Sequence, residues 1–378
     1  MIYLDHNSTT PVLPEVEEAM RPFAAEIFGN PASAHAMGRK ARQALESARE
    51  QVADLLQAHA DEVVFTSGAT EANNLAIFGL AGPAPGRILA APIEHPSVVE
   101  PIRQLEVRGW SVSWGAVDGD GVFVPHQLEP TADLRLACLQ LANHETGAIQ
   151  PVRALAERLA GRVPLHCDAA QAAGKMPVRF HDLGVATLAI SAHKFYGPKG
   201  IGALVVRRGV RLAPQLFGGH QQRGRRPGTE PVGLAVGLAK ALALASAHLD
   251  ARQQRLTLLR QRFLRVLRIQ AAPVVLNGPE TGGLLHTLNL SFPGCRADVL
   301  LMNLDLAGIA CSTGSACSSG SLLPSPVLQA MGVGPDRLHS AMRFSLGFQQ
   351  TEAEIEEAAR RIAAVVRRLR QVPVQDEP

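Results

Sequence analysis

Residues 163–194 read VPLHCDAAQAAGKMPVRFHDLGVATLAISAHK, with two short apolar runs that are each followed by polar side chains. The runs, Val163–Asp168 and Leu188–Ser191, have the length and composition of strands that are buried on both faces of a sheet. Asp168 ends the first run, and Lys194 follows the second. The stretch therefore predicts two core strands, with an acid at the end of one and an amine at the end of the other.

Similar apolar runs, rich in β-branched residues, lie on either side of this stretch. Helix-length segments such as Thr70–Leu80, Ser97–Arg108 and Arg153–Leu159 separate several of them. Strands that alternate with helices predict a mainly parallel sheet with helices on both faces. The predicted fold class is therefore α/β, with a seven-stranded mixed sheet. The further strand candidates are Val63–Ser67, Arg87–Ile93, Ser111–Val117, Leu134–Ala142 and Gly202–Arg207.

The pattern changes after about Asp250, where a long helix leads into a shorter series of strands and helices. We expect a large domain formed by residues 14–250 and a smaller α/β domain formed by residues 1–13 and 251–378. The elements predicted for the smaller domain are helix Arg252–Ile269, strand His286–Phe292, helix Ala297–Asp305, strand Ala341–Leu346 and helix Thr351–Arg370.

Composition and charge exclude several classes of protein. The chain has 378 residues, 46% hydrophobic and 19% charged, with a net charge of +3. These values indicate a soluble globular protein and make nucleic acid a poor candidate partner. The start, MIYLDHNSTT, is too polar for a signal peptide, and the apolar stretch Gly233–Leu249 is interrupted by Lys240. The five cysteines match no zinc-site spacing, so we expect no metal, free thiols and a reducing cytoplasm.

Polar groups follow five of the predicted strands. The carboxyl ends of parallel strands meet at one edge of a sheet, where ligands bind. We therefore expect these groups to share one site. They are Ser67–Glu71, Glu94–His95, Asn143–Glu145, Asp168–Gln171 and Ser191–Lys194.

Lysine is scarce in this chain, since only five of the 37 Lys and Arg residues are lysines. Arginine cannot replace lysine where a neutral amine must form an imine, because a guanidinium stays protonated. Lys194 follows an apolar strand beside Ser191 and His193, which favours a Schiff-base lysine over a surface lysine. Lys175 is interpreted instead as a partner of a helix C-terminus.

Three other strand-end groups have two interpretations each. The glycine turn Ser67–Glu71 suits a phosphate, although taken alone an ordinary helix N-cap is favoured. Asp168 either holds a protonated pyridine nitrogen or caps a helix. His95 either stacks on a cofactor ring and moves protons, or is a capping or core histidine. The residues by themselves leave these alternatives open.

Cys317 lies in a run of small polar residues, CSTGSACSSGS, at positions 311–321. Such a loop is a poor place for a structural cysteine and a good place for a nucleophile that must travel. Cys311 and Cys138 have apolar neighbours and are predicted to pack in the interior. Arg343 lies inside an apolar strand pattern and needs an anion, which is either a substrate carboxylate or an internal acid.

Six motifs together resemble those of the cysteine desulfurases, in the class V aminotransferase group of pyridoxal 5′-phosphate (PLP) enzymes. The resemblance runs from Tyr3 to the terminal helix, and the motifs are specific in combination rather than singly. It implies a PLP-dependent transferase of fold type I. The motifs are TSGATEANNLAI (66–77), EHPSV (94–98), DAAQAAGK (168–175), SAHKFYGPKGIGAL (191–204), STGSACSSGSL (312–322) and MRFSLG (342–347).

The resemblance implies a role for each matching residue. Lys194 is implied to carry PLP, Cys317 to receive the sulfur, and His95 to stack on the ring and handle a proton. Asn143 and Arg343 are implied to hold the substrate carboxylate. The other implied PLP contacts are Asp168 with the pyridinium nitrogen, Gln171 with the phenolic oxygen, a phosphate cup of Ala69, Thr70, Ser191 and His193, and Thr229 from the second subunit of a homodimer.

The chain departs from the family pattern at three places. Pro227 stands where the family's usual Arg-Ser-Gly-Thr has serine, which puts the phosphate contact of that loop in doubt. Leu322–Ser325 reads LLPS instead of the common LEPS, and we expect this difference to change how the cysteine loop folds back. The tail Val372–Pro378 is shorter than in members that dock an iron–sulfur scaffold through a C-terminal extension. The identity of a sulfur acceptor therefore stays open.

The implied activity is removal of sulfur from L-cysteine, giving L-alanine and a persulfide on Cys317. The sulfur is then passed to an acceptor protein, for iron–sulfur clusters, thio-cofactors or tRNA. Selenocysteine lyase and cystine C–S lyase are the nearest alternatives. A non-catalytic sulfur-transfer partner or scaffold is the alternative of another class, and the combination of Lys194, Asp168, His95 and Cys317 argues against it. No nucleic-acid or membrane partner is expected.

Overall fold

The computed structural model describes residues 1–125, 131–313 and 324–371. The strands are β1 (Ile2–Tyr3), β2 (Val63–Thr66), β3 (Arg87–Ala90), β4 (Ser111–Trp114), β5 (Leu134–Cys138), β6 (Leu165–Asp168), β7 (Thr187–Ser191), β8 (Gly202–Val206), β9 (Val275–Asn277), β10 (Thr287–Ser291), β11 (Ile309–Ala310) and β12 (Ala341–Ser345). The helices are α1 (Pro14–Met20), α2 (Pro22–Ala25), α3 (Ala36–Leu55), α4 (Ala69–Ala81), α5 (Pro96–Val107), α6 (Val152–Leu159), α7 (Phe180–Leu183), α8 (Val232–Ala247), α9 (Leu249–Gln270), α10 (Ala297–Leu306), α11 (Pro326–Ala330), α12 (Pro335–Leu338) and α13 (Glu352–Gln371).

The main sheet has seven strands in the order β2-β8-β7-β6-β5-β3-β4. Only β8 runs against its neighbours, pairing antiparallel with both β2 and β7, while the remaining pairs are parallel. Each predicted strand candidate of the large domain corresponds to one of these strands. The predicted α/β class with a mainly parallel, mixed seven-stranded sheet is confirmed.

Helices cover both faces of this sheet, because successive side chains of a strand point to opposite faces. In β2, Val63 and Phe65 belong to the core shared with α3 and α8, whereas Val64 belongs to the core under α4. The strands β7 and β8 are buried at every residue. Continuous apolar runs rather than alternating ones are therefore the correct signal for these strands.

Three strands end at least three residues earlier than the sequence predicted. Strand β4 stops at Trp114 rather than Val117, β3 stops at Ala90 rather than Ile93, and β5 stops at Cys138 rather than Ala142. Side chains replace the ladder there: Gln140 Nε2 donates to the Ile93 carbonyl at 2.5 Å, and the Gln140 backbone N–H donates to Glu94 Oε1 at 2.8 Å. Gln140 also lines the cavity at the carboxyl edge of the sheet.

The C-terminal third forms a second core with its own three-stranded antiparallel sheet, β12-β10-β9. Helix α13 covers it with buried residues at helical spacing, including Ile355, Ala359 and Ile362. Strand β1 pairs with β11, and Leu4 packs in the same second core. The first residues thus pack with the C-terminal third, and the division into domains at residues 14–250 stays a prediction.

No single helix in the described part of the chain has the length and apolar composition of a membrane span. Helices α8 and α9 satisfy those criteria only as a pair that is bent by 70°. Within α8, residues such as Ala235, Leu238 and Leu242 are buried in the main core.

Candidate active site

A cavity of about 490 Å³ opens at the carboxyl edge of the main sheet. Segments that follow β2, β3, β5, β6 and β7 line it, as expected for a parallel α/β sheet. The predicted site residues that it brings together are Ala69, Thr70, His95, Asp168, Gln171, Ser191, His193 and Lys194. The other lining residues are Ser8, Thr9, Ser67, Gly68, Glu71, Ser97, Gln140, Ala142, His144, Ala170, Lys199 and Gly200.

Lys194 reaches the cavity from a short turn directly after β7. Its Nζ donates to the Asn7 carbonyl at 2.6 Å and to the Ser8 carbonyl at 2.9 Å. The N-terminal segment therefore crosses the sheet edge and supplies acceptors for the amine. The sequence pattern did not indicate this contact, since Asn7 and Lys194 are far apart in the chain.

Asp168 ends β6, the neighbour of β7, and its carboxylate has two fixed donors. Oδ1 accepts the Ala170 backbone N–H at 2.9 Å, and Oδ2 accepts Asn73 Nδ2 at 2.8 Å. The first bond closes a turn at residues 170–175, so no helix follows Asp168 for it to cap. The second bond ties the carboxylate to α4 and fixes its orientation toward the cavity.

Asn73 is itself held by a buried histidine that the sequence analysis missed. His166 Nε2 lies 3.0 Å from Asn73 Oδ1, and His166 Nδ1 lies 2.9 Å from Thr187 Oγ1. Burial lowers the pKa of His166 to about 4, so the ring is neutral and donates from Nε2 to the amide oxygen. That bond leaves the amide nitrogen for Asp168. The sequence signal that could have indicated this contact is an asparagine at a buried position of α4.

His95 is a helix cap that also lines the cavity, and its predicted stacking on a cofactor ring stays a prediction. It caps α5, because the Ser97 backbone N–H donates to His95 Nδ1 at 3.1 Å, and it also lines the cavity. An accepting Nδ1 places the proton of the neutral ring on Nε2. Burial lowers the pKa of His95, while the Asp168 carboxylate opposes that shift. The ring is therefore neutral near pH 7 and has an N–H to donate.

His144 is a second histidine on the cavity wall, and the sequence analysis gave it no role. Its ring meets that of His95 edge to face, with centroids 5.2 Å apart. Burial lowers its pKa well below the ordinary value. Within the described residues, its Nδ1 is buried and has no hydrogen-bond partner.

The start of α4 forms the part of the cavity that suits an anion. Helix α4 begins at Ala69, and Gly202 of β8 lies so close to Gly68 that an added Cβ would come within 2.8 Å of Gly68 Cα. The glycine at position 202 thus allows the helix N-terminus to pack against the sheet edge. Unpaired N–H groups and the helix dipole at this end favour a phosphate.

His193 and Glu71 flank this anion-binding end. Burial, helped by the charge of Lys194, lowers the pKa of His193 to about 4, and its Nδ1 lies 3.2 Å from Thr9 Oγ1. Glu71 accepts the Ser67 backbone N–H at 2.7 Å and pairs with Arg226 at 2.7 Å. The ion pair attaches the loop that carries Thr229 to the edge of the cavity. Thr229 itself is exposed and does not line the cavity.

Asn143 and Arg343 are not among the described lining residues. Asn143 Nδ2 donates to the Ile93 carbonyl at 3.1 Å, and its Oδ1 accepts the Glu145 and Thr146 backbone N–H groups. Arg343 pairs with Asp5 at 2.9 Å, which is the internal ion pair that the sequence left as one alternative. Both residues brace the wall of the cavity. Their predicted contact with a substrate carboxylate stays a prediction.

The cysteine loop is described only at its ends. Cys317 lies outside the described residues, as do Leu322, Leu323 and the tail 372–378. Ser325, just after that loop, donates from Oγ to Glu145 Oε2 at 2.6 Å. Burial raises the pKa of Glu145 to about 7.

The other cysteines have the positions that the sequence predicted. Cys138 is buried in the core between α4, α5 and the sheet. Cys311 packs against the second core, and burial raises the pKa of its thiol to about 12. A thiol with a raised pKa is a poor nucleophile near pH 7.

One further prediction is wrong. Lys175 is not a partner of a helix C-terminus, since residues 170–175 form turns rather than a helix. Its Nζ instead donates to Gln171 Oε1 at 2.7 Å. The side chain therefore points to the site rather than to the helix end that the sequence suggested.

Comparison with known proteins identifies the family of this chain. The aminotransferase class-V family model matches residues 2–357. The chain is 41% identical to "Cysteine desulfurase IscS" of Dictyoglomus turgidum, over 98% of this chain and 96% of that protein. It is 43% identical to "Cysteine desulfurase" of Trichormus azollae, over 98% and 94% of the two chains.

Solved structures agree with the sequence relatives. A "NifS-like protein" superposes with a TM-score of 0.91 at 35% identity and covers 97% of this chain and 99% of its own. "SspA in complex with cysteine" superposes with a TM-score of 0.82 at 33% identity, over 93% and 100% of the chains. The predicted fold type I is confirmed by these matches. The chain therefore belongs to the aminotransferase class-V family, as a member of its cysteine desulfurase group.

Proposed function

We propose that this protein is a PLP-dependent cysteine desulfurase, which removes sulfur from L-cysteine and leaves L-alanine and a persulfide on Cys317. One observation carries the proposal. A lysine amine and an oriented carboxylate, Lys194 and Asp168, end two neighbouring parallel strands and line the same cavity. Family membership supports the same activity, and the solved complex of SspA with cysteine supports the substrate.

The residues of the cavity fit PLP. Lys194 would hold its aldehyde carbon, Asp168 its pyridine nitrogen, and the N-terminus of α4 with Ser191 and His193 its phosphate. Asn73 fixes the orientation of the Asp168 carboxylate. A carboxylate held in one orientation is suited to remain paired with the ring nitrogen throughout the reaction. When bound, PLP supplies an electron sink for the α-carbon of an amino acid. Asp168 keeps that sink effective by favouring the protonated ring nitrogen.

The chain's own groups handle the protons. Lys194 lines the cavity, and its amine, once released from the cofactor, can remove the α-proton. His95 carries its ring proton on Nε2 and can donate it near the substrate thiol. Burial keeps His95 neutral, so the ring can both give and accept a proton near pH 7.

Cys317 is the proposed sulfur acceptor. Its thiolate attacks the substrate sulfur, so that a sulfur–sulfur bond forms as the carbon–sulfur bond breaks. The electrons of the broken bond stay on the substrate carbon, which is protonated to give alanine. The extra sulfur remains on Cys317 as a persulfide until an acceptor protein takes it. Scaffold or carrier proteins are the expected acceptors.

The test is alanine release from L-cysteine by wild-type protein and by Cys317→Ala, with Cys311→Ala as the matched control. We expect Cys317→Ala to keep the visible band of bound PLP and to lose turnover at least 100-fold, because burial raises the thiol pKa of each of the four described cysteines and makes them poor substitutes. Cys311→Ala should keep both the visible band of bound PLP and the turnover of the wild-type protein. Normal turnover by Cys317→Ala, with cysteine as substrate, would remove this residue from the mechanism.

We also propose a homodimer in a reducing cytoplasm. Phe217 and Leu216, in the segment that leads to Thr229, are exposed apolar residues, which supports a contact with a second subunit. The four described cysteines are all free thiols, which supports a reducing compartment. Light scattering coupled to size-exclusion chromatography tests the dimer, and a mass of about 40 kDa would refute it.

A further inference from the structure

A continuous hydrogen-bonded path joins a second lysine to Lys194. Lys175 Nζ donates to Gln171 Oε1 at 2.7 Å, and Gln171 Nε2 donates to the Asn7 carbonyl at 3.0 Å. Lys194 Nζ donates to that same carbonyl at 2.6 Å. Gln171 and Lys194 both line the main cavity, whereas Lys175 does not. Lys175 can therefore act on the site only through Gln171 or through charge.

Lys175 lies in a smaller cavity of about 40 Å³ on the other side of Lys194. Within the described residues, no carboxylate lies at salt-bridge distance from its amine. Burial lowers the pKa of Lys175 well below the ordinary value, and the charges of Lys194 and Arg343 add to this effect. The other titratable groups that line this cavity are His6, Tyr196, Arg252 and His286.

The same conditions keep the neighbouring groups uncharged. Burial lowers the pKa of His6 and of His286, and it raises that of Tyr196 to about 12. Arg252 is held over the rings of Phe348 and Tyr196. Among the described residues that line this cavity there is no carboxylate to pair with Lys175. Whatever its charge, the amine has N–H groups to donate to Gln171.

This donor determines which way the Gln171 carboxamide faces. The amide has an oxygen that only accepts and a nitrogen that only donates. An N–H of Lys175 against one end and a carbonyl, that of Asn7, against the other permit a single orientation. The amide nitrogen of Gln171 carries a second hydrogen besides the one that it donates to the Asn7 carbonyl. We propose that Lys175 is a positioning residue, which orients the Gln171 amide so that its nitrogen donates into the active-site cavity.

The inference rests on the proposed function, because the partner of this second hydrogen would be the phenolic oxygen of bound PLP. A hydrogen-bond donor to that oxygen would reduce its negative charge. The oxygen would then stabilise less well a proton on the nitrogen that joins Lys194 to PLP. The donor therefore lowers the pKa of the PLP–lysine linkage. Without Lys175 only the Asn7 carbonyl holds the amide, so orientations that turn its oxygen inward become populated and the pKa of the linkage should rise.

The experiment is a pH titration of the visible band of the PLP-loaded protein. We compare wild type, Lys175→Met, Gln171→Leu and the double variant. Each single variant should raise the midpoint by about one pH unit, which corresponds to the loss of one hydrogen bond to a charged group. The double variant should match Gln171→Leu alone, because both changes remove the same donor.

Controls separate this role from a structural one. Lys40→Met, on an exposed face of α3, should leave the midpoint unchanged. Lys175→Arg keeps an N–H donor, so its midpoint should not rise. An additive shift in the double variant, an unchanged midpoint in Lys175→Met, or a rise in Lys175→Arg overturns the inference. A wild-type protein with no visible band after PLP is added refutes instead the proposed function on which the inference rests.

A second measurement needs no variant and covers the case in which Lys175→Met does not fold. The pH profile of acetic anhydride labelling is followed for each lysine by mass spectrometry. We expect the midpoint of Lys175 to lie at least one pH unit below that of Lys40. Equal midpoints would show that the amine at position 175 is solvated like that of Lys40 rather than held against Gln171, and would overturn the inference.

Discussion

Replacing Asn73 with leucine tests how much of the site depends on a residue that never touches the substrate. Leucine has nearly the shape of asparagine but neither of its polar atoms. In the native protein Asn73 Nδ2 donates to Asp168 Oδ2 and to Ser97 Oγ, both at 2.8 Å, and its oxygen faces His166. The change therefore removes three buried hydrogen bonds at once.

The expected cost follows from those bonds. A buried group that loses its partner costs about 1–3 kcal/mol, and a hydrogen bond to a charged group contributes about 1.5–3 kcal/mol. Because Asp168 borders the cavity and can recruit water, the main penalties fall on His166 and on the orientation of Asp168. We expect the free energy of unfolding to fall by about 3 kcal/mol, and kcat for alanine release to fall roughly 10- to 100-fold.

Both quantities can be measured on one preparation. Urea unfolding followed by circular dichroism gives the stability, and alanine release from cysteine at saturating PLP gives kcat. Asn303→Leu in α10 is the matched control, because its side chain bonds the Val299 carbonyl and Arg368 at a half-buried site that does not line the cavity. If Asn73→Leu lost no more activity than this control, the orientation of Asp168 by Asn73 would be refuted.

Two further predictions concern charged groups. Burial raises the pKa of Glu145 from 4.5 to about 7, so folding takes up a proton between these values and stability falls as pH rises through them. The free energy of unfolding of Glu145→Gln, measured in urea titrations, should therefore rise by about 3 kcal/mol relative to that of wild type when the pH goes from 4.5 to 8. A difference between variant and wild type that is the same at both pH values would contradict this prediction. Arg226→Met should weaken PLP binding about fivefold in fluorescence titrations, because it breaks the partly buried pair with Glu71. The exposed control Arg103→Met should have no effect, and equal affinities of the two variants would exclude a role for the Glu71 pair.

The strands could be predicted because their signal is local. A buried strand such as β7 requires a short run of apolar residues at consecutive positions, and such a run can be recognised directly in the sequence. The parallel arrangement then follows from the helices between the runs, and the shared edge follows from the parallel arrangement. Lys194 and Asp168 were found in this way, because each directly follows a run that could be recognised without knowing its neighbours.

The residues that orient those two groups could not be found in this way. Asn73 acts through Asp168, 95 positions later, and His166 acts through Asn73. Hydrogen bonds of this kind depend on which faces of a helix and a strand meet, and no local pattern encodes that. Lys175 was misinterpreted for the same reason, since its role depends on a partner in the same turn and on a burial that only packing creates.

Residue types and their local spacing were enough to predict an α/β sheet and the edge at which its polar groups meet, because secondary structure and strand ends are short-range properties. The resemblance of six motifs to one family then implied the chemistry of that edge. Packing determined which titratable groups are neutral, which amide faces which carboxylate, and that Arg343 is paired with Asp5. These outcomes depend on desolvation and on contacts between distant segments. Both exist only when the chain has folded.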